Sequence, residues 1–201
     1  MKKILYTLSL ILAITSFAKA QNIGFSINRG VSGLYPNSEF FKRTHSQMIG
    51  LGLTHSMELR DGLDFQTGLN LSANSTTGSI KNSHGMNVLL PRWYFYLEVP
   101  LHYSTKLYHF GDKRKTNTYI KGLYGANIGF LWHERDFKTT EWSDKSDLMN
   151  YGGTIAIQYV NEASANMEFA IGPQVKAMTT GQSLGRMNVS YGLRLDWRFN
   201  Y

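Results

Sequence analysis

Apolar and polar residues alternate with a period of two along most of the chain. The clearest stretch is residues 187–201, in which every second residue is apolar. The residues between them include Arg194, Asp196 and Arg198. Because successive side chains of a β-strand point to opposite faces, this stretch predicts a strand with one apolar and one charged face.

The same alternation recurs in eight segments, which predict eight β-strands. They cover residues 23–28, 49–58, 63–72, 93–107, 120–132, 151–159, 165–176 and 187–201. The second and sixth connections, "RDG" and "NEAS", are short, and the first, third, fifth and seventh are long. The fourth, "YHFGDKRKTN", is longer than a usual periplasmic turn. An even number of strands with long outer loops and short periplasmic turns is typical of bacterial outer-membrane barrels.

Charged residues are confined to the polar faces of these segments. The ten that we assign to a luminal charge lattice are Glu58, Asp64, Glu98, Lys106, Lys121, Glu168, Lys176, Arg194, Asp196 and Arg198. A charge on a lipid-facing surface costs about 2–4 kcal/mol near the bilayer midplane, so the uncharged faces are expected to face lipid. Five acids and five bases then pair in the lumen, since unpaired buried charge is costly. The predicted fold is all-β, an eight-stranded antiparallel up-and-down transmembrane β-barrel.

The first twenty residues have the pattern of a signal peptide: a basic start, an apolar run and an A-x-A cleavage site at residues 18–20. We therefore expect a cleaved signal peptide at 1–20 and a barrel domain at 21–201. Cleavage removes three lysines and lowers the formal charge from +7 to +4, which is no argument for nucleic-acid binding. The expected location is the outer membrane of a Gram-negative bacterium, with both termini periplasmic.

The stretch "FYLEVPLHY", residues 95–103, resembles a segment in the middle of PorT-like outer-membrane β-barrel proteins of the Bacteroidota. The layout of the chain is similar too, with a Gly-rich fifth strand, "GLYGANIGF", and a closing aromatic strand. The resemblance implies fold and location, and it implies no catalytic residue. Within this stretch, Pro100 removes a backbone donor and predicts a bulge or bend.

The closing strand also resembles the C-terminal assembly signal of outer-membrane proteins. The residues that carry the resemblance are Gly192, Leu195, Trp197, Phe199 and Tyr201. The partners expected on these grounds are the outer-membrane assembly machinery during insertion, and outer-membrane lipids and lipopolysaccharide afterwards. No nucleic acid is expected, and any extracellular ligand is left open.

Three functions fit the pattern. The first is a non-catalytic barrel with a filled polar lumen, whose structural or recognition role lies in its extracellular loops. The second is a lipid-modifying enzyme similar to lipid A deacylases, with His102 and Ser104 on one strand face as base and nucleophile. The third is a soluble exported barrel with an apolar ligand in an apolar lumen. No cofactor or metal is expected, because the chain has no cysteine and its six histidines show no ligand spacing. His55, on the apolar face, is expected to be an interfacial residue.

Overall fold

The computed structural model describes residues 22–35, 46–81, 87–111, 117–136, 149–179 and 187–200. The predicted signal peptide, the basic turn at 112–115 and Tyr201 lie outside these residues. Within the described ranges, no helix is long and apolar enough to cross a membrane. The described strands are β1 (Asn22–Tyr35), β2 (Ser46–Arg60), β3 (Leu63–Lys81), β4 (Asn87–His109), β5 (Thr118–Asp136), β6 (Met149–Ser164), β7 (Met167–Thr179) and β8 (Met187–Asn200).

The strands form one closed barrel in chain order, and every neighbouring pair is antiparallel. The closing pair is β1 with β8, whose register runs from Asn22 opposite Asn200 to Tyr35 opposite Met187. Closure gives every strand two partners and removes the exposed edges that an open sheet would have. The predicted eight-stranded antiparallel up-and-down barrel is confirmed.

The two ends of the barrel differ in their connections. At one end, which we name the short-turn end, two residues link β2 to β3 and two link β6 to β7. The β4–β5 connection and the ends of β1 and β8 at Asn22 and Asn200 lie at the same end. Gly62, in the β2–β3 turn, has a φ of 75°, in the left-handed region that glycine adopts readily. The other four connections join the strands at the opposite end, which we name the long-connection end.

Several strands run further than the alternation predicts, mainly toward the long-connection end. β1 continues to Tyr35, and β3 and β4 pair as far as Lys81 opposite Asn87. Much of the third connection, predicted as a loop, is therefore strand. An antiparallel pair forms its backbone hydrogen bonds whatever its side chains are. A polar hairpin consequently leaves no period-two signal in the sequence.

The bulge predicted at Pro100 is not present. The β3–β4 pairing is interrupted around Pro100, but the register is the same on either side, with Thr67 opposite Leu101 and Asn70 opposite Glu98. A proline cannot donate to the ladder, and here the sheet loses pairing locally without adding a residue. Among the described pairs, register shifts occur instead between Glu58/Arg60, Phe95/Tyr96, Lys106/Tyr108 and Glu162/Ser164.

The two faces of the barrel have opposite characters. Large apolar side chains such as Leu51, Ile155 and Leu193 are exposed on the outside. Polar and charged side chains such as Gln66, Glu98 and Arg194 are buried inside. A water-soluble barrel has the reverse arrangement. The face assignment therefore contradicts the soluble barrel with an apolar lumen.

A glycine pair closes the seam between the first and last strands. Gly30 lies opposite Gly192 in the β1–β8 register. A Cβ on Gly192 would lie 2.1 Å from the backbone oxygen of Arg29 and 2.5 Å from the Cα of Gly30. Only residues without a side chain fit this approach of two backbones.

Candidate functional site

The interior of the barrel gathers most of the residues assigned to the luminal lattice. Seven of the ten are 7% exposed or less, and each of these seven forms an ion pair: Glu98, Lys121, Glu168, Lys176, Arg194, Asp196 and Arg198. They come from four strands, β4, β5, β7 and β8, and every one points inward because of the two-residue period. The interior of an eight-stranded barrel is just wide enough for side chains to fill it.

The short-turn end of the interior is a dense ionic network around Glu168. Lys121 Nζ lies 2.7 Å from its Oε1, and the Tyr119 hydroxyl donates to its Oε2 at 2.8 Å. Arg198 lies 3.8 Å from the same carboxylate and donates to Asp64 Oδ2 at 3.0 Å. The network therefore links β3, β5, β7 and β8 across the lumen. Arg198 is the residue that contacts both of its acids, Glu168 and Asp64.

Next to this network, an apolar cluster fills the interior between β5, β6 and β7. It consists of Tyr119, Val160 and Ala170, each at most 2% exposed. The Tyr119 ring therefore packs against apolar neighbours while its hydroxyl reaches Glu168. Such a buried aromatic ring with a bonded hydroxyl satisfies both parts of the side chain.

Midway along the lumen, Asp196 accepts from two donors. Arg194, two residues earlier on the same strand face, donates from Nε to both carboxylate oxygens at 3.0 and 2.8 Å. Gln158 of β6 donates to Oδ2 at 2.6 Å. Arg194 Nη2 has no hydrogen-bond partner among the described residues.

Toward the long-connection end, one ion pair crosses the lumen from β4 to β7, two strands that do not pair. Lys176 donates to both carboxylate oxygens of Glu98, and Ser72 donates to the same carboxylate at 2.5 Å. A cavity of about 10 Å³ lies beside this pair, which is about the room that one water molecule needs.

The remaining members of the assigned lattice lie at the short-turn end of the barrel. Asp64 is partly buried and pairs with Arg198. The Lys106 side chain is 39% exposed, 3.8 Å from Glu162 and 4.7 Å from the Tyr119 ring centre. Glu58 is exposed near the end of β2. Lys106 and Glu58 therefore belong to the solvated rim rather than to the packed interior, because each lies within three residues of its strand's end.

His102 and Ser104 share the inner face of β4, each 1% exposed, but they have different partners. His102 Nε2 lies 3.0 Å from Asn127 Oδ1, and Asn127 donates onward to Thr154 Oγ1 at 2.7 Å. Ser104 donates to Asp64 at 3.3 Å. A nucleophile must be within hydrogen-bond reach of its base, and no such contact joins these two described side chains. Neither is open to a lipid substrate.

Of the assembly signal, Leu195, Trp197 and Phe199 lie on the outer face of β8, and Tyr201 lies outside the described residues. Trp197 contacts Phe169 on β7, with ring centres 5.5 Å apart. Phe199 contacts Phe25 on β1, with ring centres 6.4 Å apart. Leu195 lies between Ile27 and Ile171 in the register. Gly192 faces inward at the seam.

Two residues that the sequence did not single out lie just beyond the strand ends that the alternation predicts. Tyr119 precedes the predicted start of the fifth strand, and Arg29 follows the predicted end of the first. Arg29 lies on the outer face, in register with Leu193 and Ile49. It is a charged side chain among apolar neighbours on the outer face, whereas the exposed Arg60, which pairs with the outward-facing Leu63, lies at the end of its strand. The prediction of uncharged apolar faces did not cover this position, because the first predicted strand ends at residue 28, and extending that alternation by one step would have reached it.

His55 lies on the outer face of β2, opposite Ile23 and Thr67 in the register. It is only 4% exposed, so its neighbours cover it. Among the described residues, no group of three His, Cys, Asp or Glu side chains could hold a metal ion.

No family model and no curated protein matches the chain. Among solved structures, the chain is similar to the outer membrane protein OprG of Pseudomonas aeruginosa at 13% identity, with a TM-score of 0.49, over 91% of this chain and 97% of that one. It is similar to Ail, the attachment invasion locus protein of Yersinia pestis, at 13% identity and a TM-score of 0.41, over 90% and 99%. It is also similar to LpxR of Salmonella typhimurium, at 13% identity and a TM-score of 0.33, over 98% and 96%. None of these likenesses assigns a function to the chain.

Proposed function

We propose that the chain is a small integral outer-membrane barrel with a filled lumen and a non-catalytic role. Its structural or recognition function lies in the connections at the long-connection end, which face the exterior, and both termini are periplasmic. The resemblance of residues 95–103 to PorT-like proteins is part of this proposal.

The observation that carries the proposal is the inverted distribution of polarity. Ile155 is 66% exposed and Leu51 57% exposed on the outside, whereas Arg194 and Lys121 are each 2% exposed inside. A belt of exposed apolar side chains around the whole barrel is far larger than the patches that soluble monomers carry. Burial in lipid removes this apolar surface from water, at roughly 25 cal/mol for each Å².

Aromatic residues near the short-turn end support a membrane boundary there. Tyr103 and Tyr124 contact each other on the outer face of β4 and β5 with ring centres 6.1 Å apart. Tyr108 and Phe110 lie further toward the turn, with ring centres 5.3 Å apart. Amphipathic rings concentrate at both membrane–water interfaces. The short turns fit the periplasmic side, where such barrels carry their shorter connections.

The lipid-modifying alternative has no support from the geometry. His102 and Ser104 are enclosed in the lumen and bonded to other groups, as described above. The matching test is lipid analysis of cells that express the wild type, His102→Ala or Ser104→Ala. We expect identical lipid profiles, and a lipid product that disappears in both variants would contradict the non-catalytic proposal.

The orientation is tested by single cysteines, because the chain has none of its own. Asn82→Cys lies between β3 and β4, Lys113→Cys between β4 and β5, and Leu69→Cys in the apolar face of β3. Intact cells are treated with a thiol reagent too large to cross the outer membrane. We expect labelling at position 82 alone in intact cells, at 113 only after permeabilisation, and at 69 only after unfolding. Equal labelling of 82 and 113 after lysis alone, with a water-extractable protein, would overturn the membrane proposal.

A further inference from the structure

Arg29 is an exception on the outer surface of this barrel. Its side chain is exposed, and it forms no ion pair or side-chain hydrogen bond with the part of the chain that the structure describes. Its neighbours in the register are apolar, Leu193 on one side and Ile49 on the other. A guanidinium in an apolar belt is unfavourable unless it reaches a polar group. No described residue forms an ion pair with it, so a polar group of the membrane is the natural partner for its charge.

Two further polar side chains flank the same position. Val31, the next outward residue of β1, pairs with Gln47 of β2 and with Tyr191 of β8. Gln47 and Tyr191 are therefore the diagonal neighbours of Arg29, at a spacing of about 7–8 Å that long side chains bridge. Tyr191 is 52% exposed, and Gln47 is also exposed. The guanidinium of Arg29, the amide of Gln47 and the phenol of Tyr191 thus surround Val31 on the outer surface.

The position of this group along the barrel defines the leaflet. Arg29 lies in the middle of β1, seven residues from Asn22 and six from Tyr35, but Ile49, opposite it, is three residues from the end of β2 at Ser46 and eleven from its other end at Arg60. Three residues of strand correspond to about 10 Å. A long Arg side chain extends its head group along such a surface toward the polar layer. Extended toward the nearer end of β2, the head group would reach the polar layer at the long-connection end.

We propose that Arg29, with Gln47 and Tyr191 beside it, binds a phosphate group of lipopolysaccharide in the outer leaflet. The inference rests on the proposed function, because it requires a membrane barrel with the long-connection end outside. Guanidinium is suited to phosphate, with which it forms paired charge-assisted hydrogen bonds. The Gln47 amide and the Tyr191 hydroxyl supply further donors. All three come from β1 and its two neighbours, so the site lies on the closing seam of the barrel.

The test uses the full mature chain folded into phosphatidylcholine vesicles that contain either lipid A or dephosphorylated lipid A. Membrane insertion is measured first, as the fraction that stays in the vesicles after an alkaline wash. The fraction of protein with bound lipid A is then measured by native mass spectrometry. The variants are Arg29→Leu, Arg29→Lys and Arg60→Leu. Arg60→Leu removes the same charge at the exposed short-turn end of β2 and is the matched control.

We expect about fivefold weaker binding of lipid A by Arg29→Leu, an intermediate loss in Arg29→Lys, and wild-type binding by Arg60→Leu. With dephosphorylated lipid A, all four proteins should bind equally weakly. Inserted proteins that bind lipid A equally well, or an Arg29→Leu defect that is the same with dephosphorylated lipid, would overturn the phosphate site alone. A wild-type chain that the alkaline wash removes from vesicles would overturn the proposed function and the site together.

Discussion

The two halves of the lumen are built from different chemistry. At the short-turn end, Glu168 accepts from Lys121 and Tyr119 and lies near Arg198, which also binds Asp64. Toward the long-connection end, the charged contact is the pair of Glu98 and Lys176, with a small cavity beside it. Four buried Asn side-chain oxygens in that half have no hydrogen-bond partner among the described residues: Asn28, Asn74, Asn150 and Asn188.

This difference indicates that the two halves contribute differently to the stability of the barrel. In the first half, Glu168, Arg198 and Asp64 each contact at least two groups, so the removal of one group leaves several others unsatisfied. This half also has buried atoms without a partner among the described residues, such as Gln66 Oε1 and Arg198 Nη2. In the second half, neutral amides cost less to leave unpaired than ions do. We therefore expect the short-turn half to contribute more to the free energy of unfolding. We expect the other half, which lies next to the connections that we propose to be functional, to tolerate substitution better.

The largest effect is expected at the centre of the ionic network. Glu168→Gln removes the carboxylate that binds Lys121 and Tyr119 and leaves Lys121 buried with its charge. Breaking a buried ion pair from one side costs about 3–5 kcal/mol. We expect a loss of that size in the free energy of unfolding, measured by urea titration in vesicles with tryptophan fluorescence.

Glu162→Gln is the matched control for this substitution, because Glu162 lies directly opposite Glu168 in the β6–β7 register. Its carboxylate is 35% exposed and 3.8 Å from Lys106. An exposed ion pair contributes about 0–1 kcal/mol, so the control should change stability by no more than that. Equal losses in the two variants would show that the buried network has no special role.

A smaller loss is expected from the corresponding change in the other half. Glu98→Gln leaves Lys176 without its carboxylate, but the adjacent cavity gives a water room to bind the ammonium group. We expect the free energy of unfolding to fall by about 2 kcal/mol, in the range of a single hydrogen bond to a charged group. The same urea titration measures it, and a loss as large as that of Glu168→Gln would remove the distinction between the halves.

Adding Lys176→Met to Glu98→Gln tests the cause of that loss. If the orphaned ammonium group is responsible, removing it should restore most of the stability, because the cost of breaking a buried pair from one side comes from the uncompensated charge that is left. A double variant that is less stable than Glu98→Gln would instead assign the loss to packing. The coupling between the two substitutions is read from the complete double-mutant cycle.

The alternation of residues was enough to place seven of the ten assigned charges inside, but it did not separate them from Lys106 and Glu58 on the exposed rim. It works because the period of a strand is two, so one correct register assigns every side chain to a face. Arg194, Asp196 and Arg198 are all placed inside by that rule. The rule did not assign Tyr119 and Arg29, because each lies one residue beyond a predicted strand end. The alternation marks a strand end poorly where the pairing continues through polar residues.

The partners within the lumen could not be predicted from the sequence. Glu98 and Lys176 come from strands that do not pair, and so do Asp64 and Arg198. Which side chains meet across the interior depends on the stagger of the strands around the barrel. The period-two alternation carries no information on that stagger. It therefore could not predict that His102 and Ser104 form hydrogen bonds with different partners.

The smallest effect is expected at one of the unpaired amides. Asn188 is 4% exposed, and its side-chain oxygen has no partner among the described residues. Replacing it with Leu, which has a similar shape, removes a buried polar group without breaking a hydrogen bond of that oxygen. Such a change is nearly neutral or stabilising, so we expect the free energy of unfolding to shift by less than about 1 kcal/mol.

Asn127→Leu is the control with the same chemical change, because Asn127 bridges His102 and Thr154. Loss of those bonds should cost about 1–3 kcal/mol. If urea titration finds equal costs at both positions, the amide at Asn188 is bonded as firmly as the bridge, and the long-connection half is not the more tolerant one.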